Sequence, residues 1–443
     1  VPGTLPALYD VLIVGGGPAG STCARVLAAG GARVAVVDRA EFPRVKLCAG
    51  WLSPGIWDVL QLAPASYPRG LWEWNTCHVH YRGKAHAIPC HGWFIRRYEF
   101  DEFLLHSSGA DLHLGTNVKQ IERDASGQWA IGPLRARYLI GAGGTHCPVA
   151  RMLAPTRPKR AVGVQELELQ LDTISVARAR LGKDGEPELV LFDDIGGYGW
   201  NVPKSDWINV GCGTLDATAA RSAWRHTHDH LRAAGHLPPG AEPALEHIKG
   251  HSYFLFEPVH LDAAYRDQAF LVGDSLGLAH PITAEGILPA TLSGRHAAEA
   301  ILAGDPASYP ARLRRDPILT DYRRVHAALA TVQRLRDRIS RWTGLASVID
   351  RVTGSAATPP TTGAPGNGAA EHAPPAAPTA ASPPSIVAPD ARVIAPDARA
   401  AAPDDRVGSA VGTATVARGF AWMFSGAKLP APRLLDLLLG TGD

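Results

Sequence analysis

The chain has 443 residues, long enough for two or three domains with sizeable cores. Its 44 Lys and Arg nearly balance 42 Asp and Glu, for a formal charge of +2 with both signs evenly mixed, so no basic stripe points to nucleic acid. Six scattered cysteines without framework spacing, no charged-then-apolar leader and no apolar run of about 18 residues argue against a secreted disulfide scaffold or a spanning helix; reduced thiols in a cytoplasm are expected.

Residues 11–38 read VLIVGGGPAGSTCARVLAAGGARVAVVD, the pattern of a strand, a glycine turn, a helix, a second strand and an acid. This is a βαβ dinucleotide unit. Gly15 permits the tight turn, Gly17 lets backbone N–H groups approach a pyrophosphate, and Gly20 lets the helix lie close on the strand. The helix N-terminus then faces the phosphates with partial positive charge, and Asp38 is set to accept from a ribose. Residues 53–62 follow as a helix, with Ser53 as N-cap and Pro54 at its first position. Alternating apolar positions over 76–95 predict strands, and 99–108 has helical spacing with Phe100, Phe103 and Leu104 on one face. Short strands are expected at Leu112–Leu114, within Val118–Arg123, at Gln128–Ile131 and at Tyr138–Ile140. Strands return over 161–256 around a helix near 217–234. A last buried strand at Ala269–Val272 ends in Gly273-Asp274, before a helix over about 285–302.

Residues 308–352 read as arginine-rich helix with a broken apolar stripe (Leu313, Leu329, Val332, Leu335, Ile339). Residues 354–403 hold 11 of the 36 prolines and a small tandem repeat, Ala388-Pro-Asp-Ala-Arg, Ala395-Pro-Asp-Ala-Arg and Ala402-Pro-Asp-Asp-Arg. Such composition buries too little apolar surface to offset chain entropy and predicts a disordered linker. The tail from 413 to 443 carries Phe420, Trp422, Met423, Phe424 and Leu434–Leu439. It suits docking on the main body, or peripheral contact with a membrane.

Three further patches choose between dinucleotides. Arg97-Tyr-Glu-Phe100-Asp101 opens a helix, Gly141-Ala-Gly143-Gly144 follows a strand, and Gly273-Asp274 ends one. In this order they resemble the p-hydroxybenzoate-hydroxylase-like flavoproteins, which implies FAD, with Arg97 and Asp274 on its phosphates and ribityl chain. Within that class the chain resembles the geranylgeranyl reductase family. Phe42–Gly50 (FPRVKLCAG) is similar to its F-P-R-x-K-x-C-G-G segment, and Tyr198–Pro203 (YGWNVP) to its Y-x-W-x-F-P substrate motif. Gly141–Arg151 and Gly273–Ile287 resemble its third flavin motif and its G-D…P…G-E-G-I segment. Val202 and Ala49 depart from the pattern, and Gly143 stands where aromatic hydroxylases usually carry aspartate.

The resemblance, which covers roughly residues 8–305, implies an α/β fold with a Rossmann-type FAD-binding domain (1–75, 96–160 and 251–305) and an inserted mixed β-sheet substrate domain (76–95 and 161–250). Composition and spacing add a C-terminal helical region (306–353), a disordered linker (354–412) and the tail (413–443). The resemblance also implies cofactor contacts from Gly15, Gly17, Ala19, Gly20, Asp38, Arg39, Arg44, Cys48, Ala49, Gly50, Arg97, Val118, Gly143, Gly273, Asp274, Gly286 and Ile287, and catalytic roles for Cys48, Tyr198 and Trp200. The expected activity is reduction of C=C bonds in a polyprenyl or other apolar substrate by hydride from reduced flavin. No second complete G-x-G-x-x-G occurs, so the reductant (NADPH, ferredoxin or another donor) has no Rossmann domain of its own. A flavin monooxygenase on a natural-product scaffold is the first alternative, and a non-catalytic flavin- or lipid-binding protein the second.

For Cys48, nearby Arg44 and Lys46 would favour thiolate; a small buried hydrophobe is the plainer reading. Tyr198 and Trp200 fall on one face of an extended segment, suited to an apolar chain or to ordinary sheet packing. Five tryptophans between Trp51 and Trp93 suit a tunnel or a core. Cys77, His78, His80, Cys90 and His91 match no metal-site spacing, and His226, His228 and His230 scatter around their helix, so no metal is expected.

Overall fold

The computed structural model describes residues 7–156, 160–172, 185–192, 196–238 and 248–343. The linker and tail lie outside them. Both sheets described below belong to one compact unit.

The first sheet runs β15 (Tyr265–Arg266), β16 (Ala269–Leu271), β9 (Leu134–Gly141), β1 (Ala7–Val14), β2 (Val34–Val37) and β6 (Asp111–His113), with β7 (Glu122–Arg123) and β8 (Trp129–Ile131) as a side ribbon on β9. β1 pairs in parallel with β2 (Val11↔Val34) and with β9 (Val11↔Tyr138). Val11, Leu12 and Ile13 are fully buried, as expected of a parallel strand covered on both faces. Helix α1 (Pro18–Ala29) leaves β1 through Gly15–Gly17. Gly15 has φ +114°, and a Cβ on Gly20 would stand 1.9 Å from the Gly15 carbonyl oxygen. Only glycine permits that approach of helix to strand.

The second sheet runs β14 (Lys249–Phe254), β10 (Ala161–Gln170), β13 (Trp207–Thr214), β12 (Gly197–Lys204), β11 (Glu188–Leu191), β4 (Leu71–Tyr81), β5 (Lys84–Ile95) and β3 (Trp51–Leu52). It is antiparallel except where β11 meets β4. The 76–95 pattern therefore belongs to a longer hairpin that starts at Leu71. Helix α2 (Gly55–Leu60) is shorter than expected, and Ser53 does not cap it: its hydroxyl donates to Glu285, 232 residues away. α3 (Arg97–His106) and α4 (Pro148–Leu153) follow β5 and β9, and α5 (Ala220–Ala233) covers one face of the second sheet, with Thr227 pressed on Gly199. α6 (Ile287–Leu302) packs on α1 so closely that a Cβ on Gly294 would meet the Ala19 carbonyl oxygen at 2.2 Å. α7 (Tyr309–Arg315) and α8 (Pro317–Thr343) form the predicted helical region; Leu313 is buried, while the side chains of Val332, Leu335 and Ile339 lie outside the described residues.

The tryptophan concentration resolves mainly into core. Trp74 stacks on Phe94 at 5.6 Å, Trp57 meets Trp93 edge-on at 5.7 Å, and only Trp51 of the five reaches the cavity described next.

Candidate active site

Between the two sheets lies a cavity of about 630 Å³, within the usual size of a cofactor or ligand site. At one end stand Gly15, Gly17 and Ala19 at the α1 N-terminus, Asp38 and Arg39 beyond β2, and Val118 and Gly143. Asp38 accepts from the Gly16 N–H at 2.7 Å and the Ala40 N–H at 2.9 Å, which fixes its carboxylate and leaves acceptor capacity for a ligand. α1 has no side-chain cap, so its leading N–H groups open onto the same space. A glycine cradle, a bare helix N-terminus and a fixed acid form a nucleotide site, and these residues fit FAD.

The middle of the cavity is charged. Arg97, 9 % exposed, grips Asp101 through Nε at 2.6 Å and Nη2 at 2.7 Å, and Arg44 reaches the same carboxylate at 3.0 Å. Burial works against the Arg97 charge, but Asp101 more than offsets it and holds the guanidinium firmly protonated. Cys48 lies within hydrogen-bonding reach of Arg97, and its Sγ accepts from the Gly50 N–H at 3.3 Å. Asp274 is pushed up by burial, with Lys46 and Arg97 opposing. Gly286 leaves room for it, since a Cβ there would stand 3.3 Å from its Oδ1. Ala49, Gly286 and Ile287 complete this wall.

Tyr198 and Trp200 do share a face of β12, and both line the cavity, ring centroids 5.9 Å apart. Trp200 Nε1 donates to Asn209 Oδ1 at 2.7 Å, and Asn209 Nδ2 donates to the Cys48 carbonyl at 3.4 Å. The aromatic wall is thus tied to the cysteine loop. A Cβ on Gly211 would meet Trp200 Cζ2 at 2.4 Å, so the indole rests on a bare strand position. The Tyr198 hydroxyl donates to the Thr283 carbonyl, and burial drives its acidity down. It is a poor proton donor in this setting.

Three predicted contacts do not line the cavity. Gly20 serves the α1–β1 approach. Gly50 (φ +71°) lets its loop close on the Ile95 carbonyl, and Gly273 (φ +59°) sits between Ala19 and Ala290. Two carboxyls that sequence reasoning did not single out do line it. Glu285 follows Ala284, whose left-handed backbone (φ +59°) is a strained setting for a residue with a Cβ. Its Oε1 accepts from the Ser53 hydroxyl at 2.7 Å, yet burial lifts the acid to about 7. Glu166 is the second. The polar residues read as a weak metal pattern instead pair separately: His78 with Glu186 at 2.7 Å, His80 with Glu188 at 3.1 Å, and His91 with Glu73 at 2.7 Å. Among the described residues no cluster of three or more ligating side chains could hold a metal.

Residues 8–63 match the family described as FAD binding domain. Over 330 residues the chain is 29% identical to digeranylgeranylglycerophospholipid reductase 1 of Methanothermobacter thermautotrophicus, covering 67% of this chain and 78% of that protein. Menaquinone reductase of Mycobacterium tuberculosis is 26% identical over 341 residues, 67% of this chain and 78% of its own. The fold is shared with a geranylgeranyl bacteriochlorophyll reductase-like protein from Thermoplasma acidophilum (TM-score 0.57, 21% identity, 72% and 86% coverage). No helix among the described residues is long and apolar enough to cross a membrane. With the nucleotide cradle, the fixed acid and these relatives in agreement, the chain is an FAD-dependent oxidoreductase similar to geranylgeranyl reductases.

Proposed function

We propose that the chain saturates C=C bonds of an apolar, polyprenyl-type substrate. The observation that carries this reading is the aromatic wall of Tyr198 and Trp200, set across one cavity from the nucleotide cradle. A smaller apolar pocket of about 110 Å³ shares Tyr198, Trp200, Tyr253 and Ala284 with this cavity and is also lined by Val162, Ile282 and Leu329, a direction for a hydrocarbon chain. The names of the two reductase relatives support the same substrate class.

FAD, once reduced by an external donor, supplies a hydride equivalent. The chain supplies the rest. Gly15, Gly17, Asp38 and Arg97 hold the cofactor, while Tyr198 and Trp200 align the alkene and exclude water; alignment of this kind contributes roughly 7–11 kcal/mol to a step. The proton comes from Glu285, a cavity-lining acid held by the Ser53 hydroxyl beside the strained turn at Ala284 and raised by burial to about 7. Its O–H bond breaks as a C–H bond forms at the alkene carbon that does not take the hydride, and solvent reprotonates the carboxylate. Cys48, beside Arg97, shields this end of the cavity and sets its shape.

The test is anaerobic incubation of photoreduced holoenzyme with prenyl diphosphates, prenyl lipids and prenylated quinones, read by mass spectrometry. Products heavier by pairs of hydrogens are expected. Oxygen incorporation coupled to turnover in air, with no hydrogen gain under anaerobic conditions, would replace this reading with a monooxygenase.

A further inference from the structure

On the substrate side of the cavity, two buried polar atoms have no partner: Glu166 Oε1 and His251 Nδ1. Glu166 is 1 % exposed, on β10, two residues after Val164 on the same face of the sheet. His251 on β14 stands opposite Val164, one diagonal step from Glu166, a separation of roughly 7–8 Å between side-chain origins. Gly211, opposite Glu166 on its other side, contributes no side chain, so the space beside the carboxyl is bounded by the Trp200 ring.

A buried polar atom left unpaired is unfavourable unless something else satisfies it. Lys204, the nearby fully buried cation, is engaged elsewhere, with Nζ 2.7 Å from Glu168 Oε1. Burial lifts the Glu166 acid to about 8 against the pull of Lys204 and Lys46, and holds the His251 imidazole down at about 4. Both groups are therefore mainly uncharged at neutral pH, one offering an O–H and the other an imidazole. Of the neighbouring cavity side chains, Val164, Leu189, Tyr198, Trp200 and Tyr253 are apolar or aromatic, while Lys46 and Arg97 bring positive charge toward both groups.

We infer that Glu166 and His251 form a subsite for an uncharged ring oxygen, a carbonyl or its reduced hydroxyl, at the head of a prenylated substrate. The hydrocarbon part then runs along Tyr198 and Trp200 into the apolar side pocket. A prenyl diphosphate would instead call on cavity cations such as Lys46 and would meet an acid in this subsite. The inference deepens the reductase reading and rests on it for the fate of the bound molecule, but equilibrium binding tests it separately from turnover.

Full-length, FAD-loaded protein with oxidised flavin is titrated with farnesylated 1,4-naphthoquinone, with farnesyl diphosphate and with detergent-dispersed squalene, following the flavin absorption band. The naphthoquinone is expected to bind at least tenfold more tightly than either comparator. Glu166→Leu should lose that tenfold preference, and Glu166→Gln, which keeps a hydrogen-bonding end, should retain affinity within about threefold. Ligand-free Glu166→Leu should also melt at a higher temperature than wild type, because it removes an unpaired buried polar group. Unchanged naphthoquinone affinity in Glu166→Leu at full FAD content overturns the inference, as does tighter binding of the diphosphate or squalene to wild type. Should Glu166→Leu fail to hold FAD, the ligand ranking of wild type and its loss in His251→Leu decide the matter. Binding as expected with no hydrogen gain in the anaerobic assay would sink the reductase reading and leave the subsite standing.

Discussion

Glu285→Gln perturbs one buried proton. Burial raises the folded-state acid to about 7, against about 4.5 in the unfolded chain. The raised value means that the folded state holds the proton more tightly. Its stabilising contribution is therefore full below the unfolded value and is lost as pH rises toward and through 7. Between pH 5 and pH 8 the loss is about 2–3 kcal/mol, at 1.36 kcal/mol per unit. The groups facing Glu285 are Ser53, Tyr198 and Tyr322, and neither tyrosine ionises in this range because burial drives both upward. Glutamine keeps the shape without the titration. Urea unfolding of flavin-free wild type and Glu285→Gln at both pH values should show the variant relatively more stable at pH 8 by that amount. In turnover, wild type should slow about tenfold from pH 6 to pH 8 as the protonated fraction falls from about nine in ten to about one in ten. The variant should be slow and flat across the range. Identical pH dependence of stability and of turnover in the two proteins would refute the reasoning.

Cys48→Ala should keep the bound yellow flavin and slow alkene reduction; full activity would remove Cys48 from any part in the site. Gly20→Ala places a Cβ 1.9 Å from the Gly15 carbonyl oxygen and should destabilise by about 1–3 kcal/mol or more, with FAD content falling in step. An unchanged melting temperature and a full complement of flavin would contradict the helix–strand geometry. Gly211→Ala drives against Trp200 Cζ2 and against Gln165 and Glu166 on β10, and should raise KM with FAD content intact, since it displaces the substrate wall and leaves the cradle alone. An unchanged KM would mean that the wall formed by Trp200 and Glu166 does not set the position of the substrate.

The nucleotide half was legible because its signals are local. Gly15, Gly17 and Gly20 keep fixed spacing within one turn and helix, and Asp38 follows at the end of the next strand. Arg97 and Asp274 were found only through the order of separated motifs, as no local periodicity marks them. The two cavity acids were not legible. Glu166 alternates with Leu167 and Leu169 and reads as the solvent-facing member of a strand; its burial depends on β13 and β14, both remote in sequence. Glu285 was noticed only as part of a helix start, and its burial depends on Ser53 and on the turn at Ala284. Ser53 was misread for the matching reason: a serine before proline signals a helix cap, and a long-range carboxyl took its hydroxyl instead. Tyr198 and Trp200 were placed correctly by strand alternation, while Gly211, which seats the indole, lies on a different strand.

Asp101 answers to cations from two segments, Arg97 on its own helix and Arg44 on the loop that carries Cys48. The consequence concerns chimeras with related enzymes. A graft of residues 42–50 that brings no arginine at position 44, or an α3 that brings no acid at position 101, leaves a buried charge short of one partner and frees the loop that carries the thiol. Loop and helix are best exchanged together, as one inherited cassette.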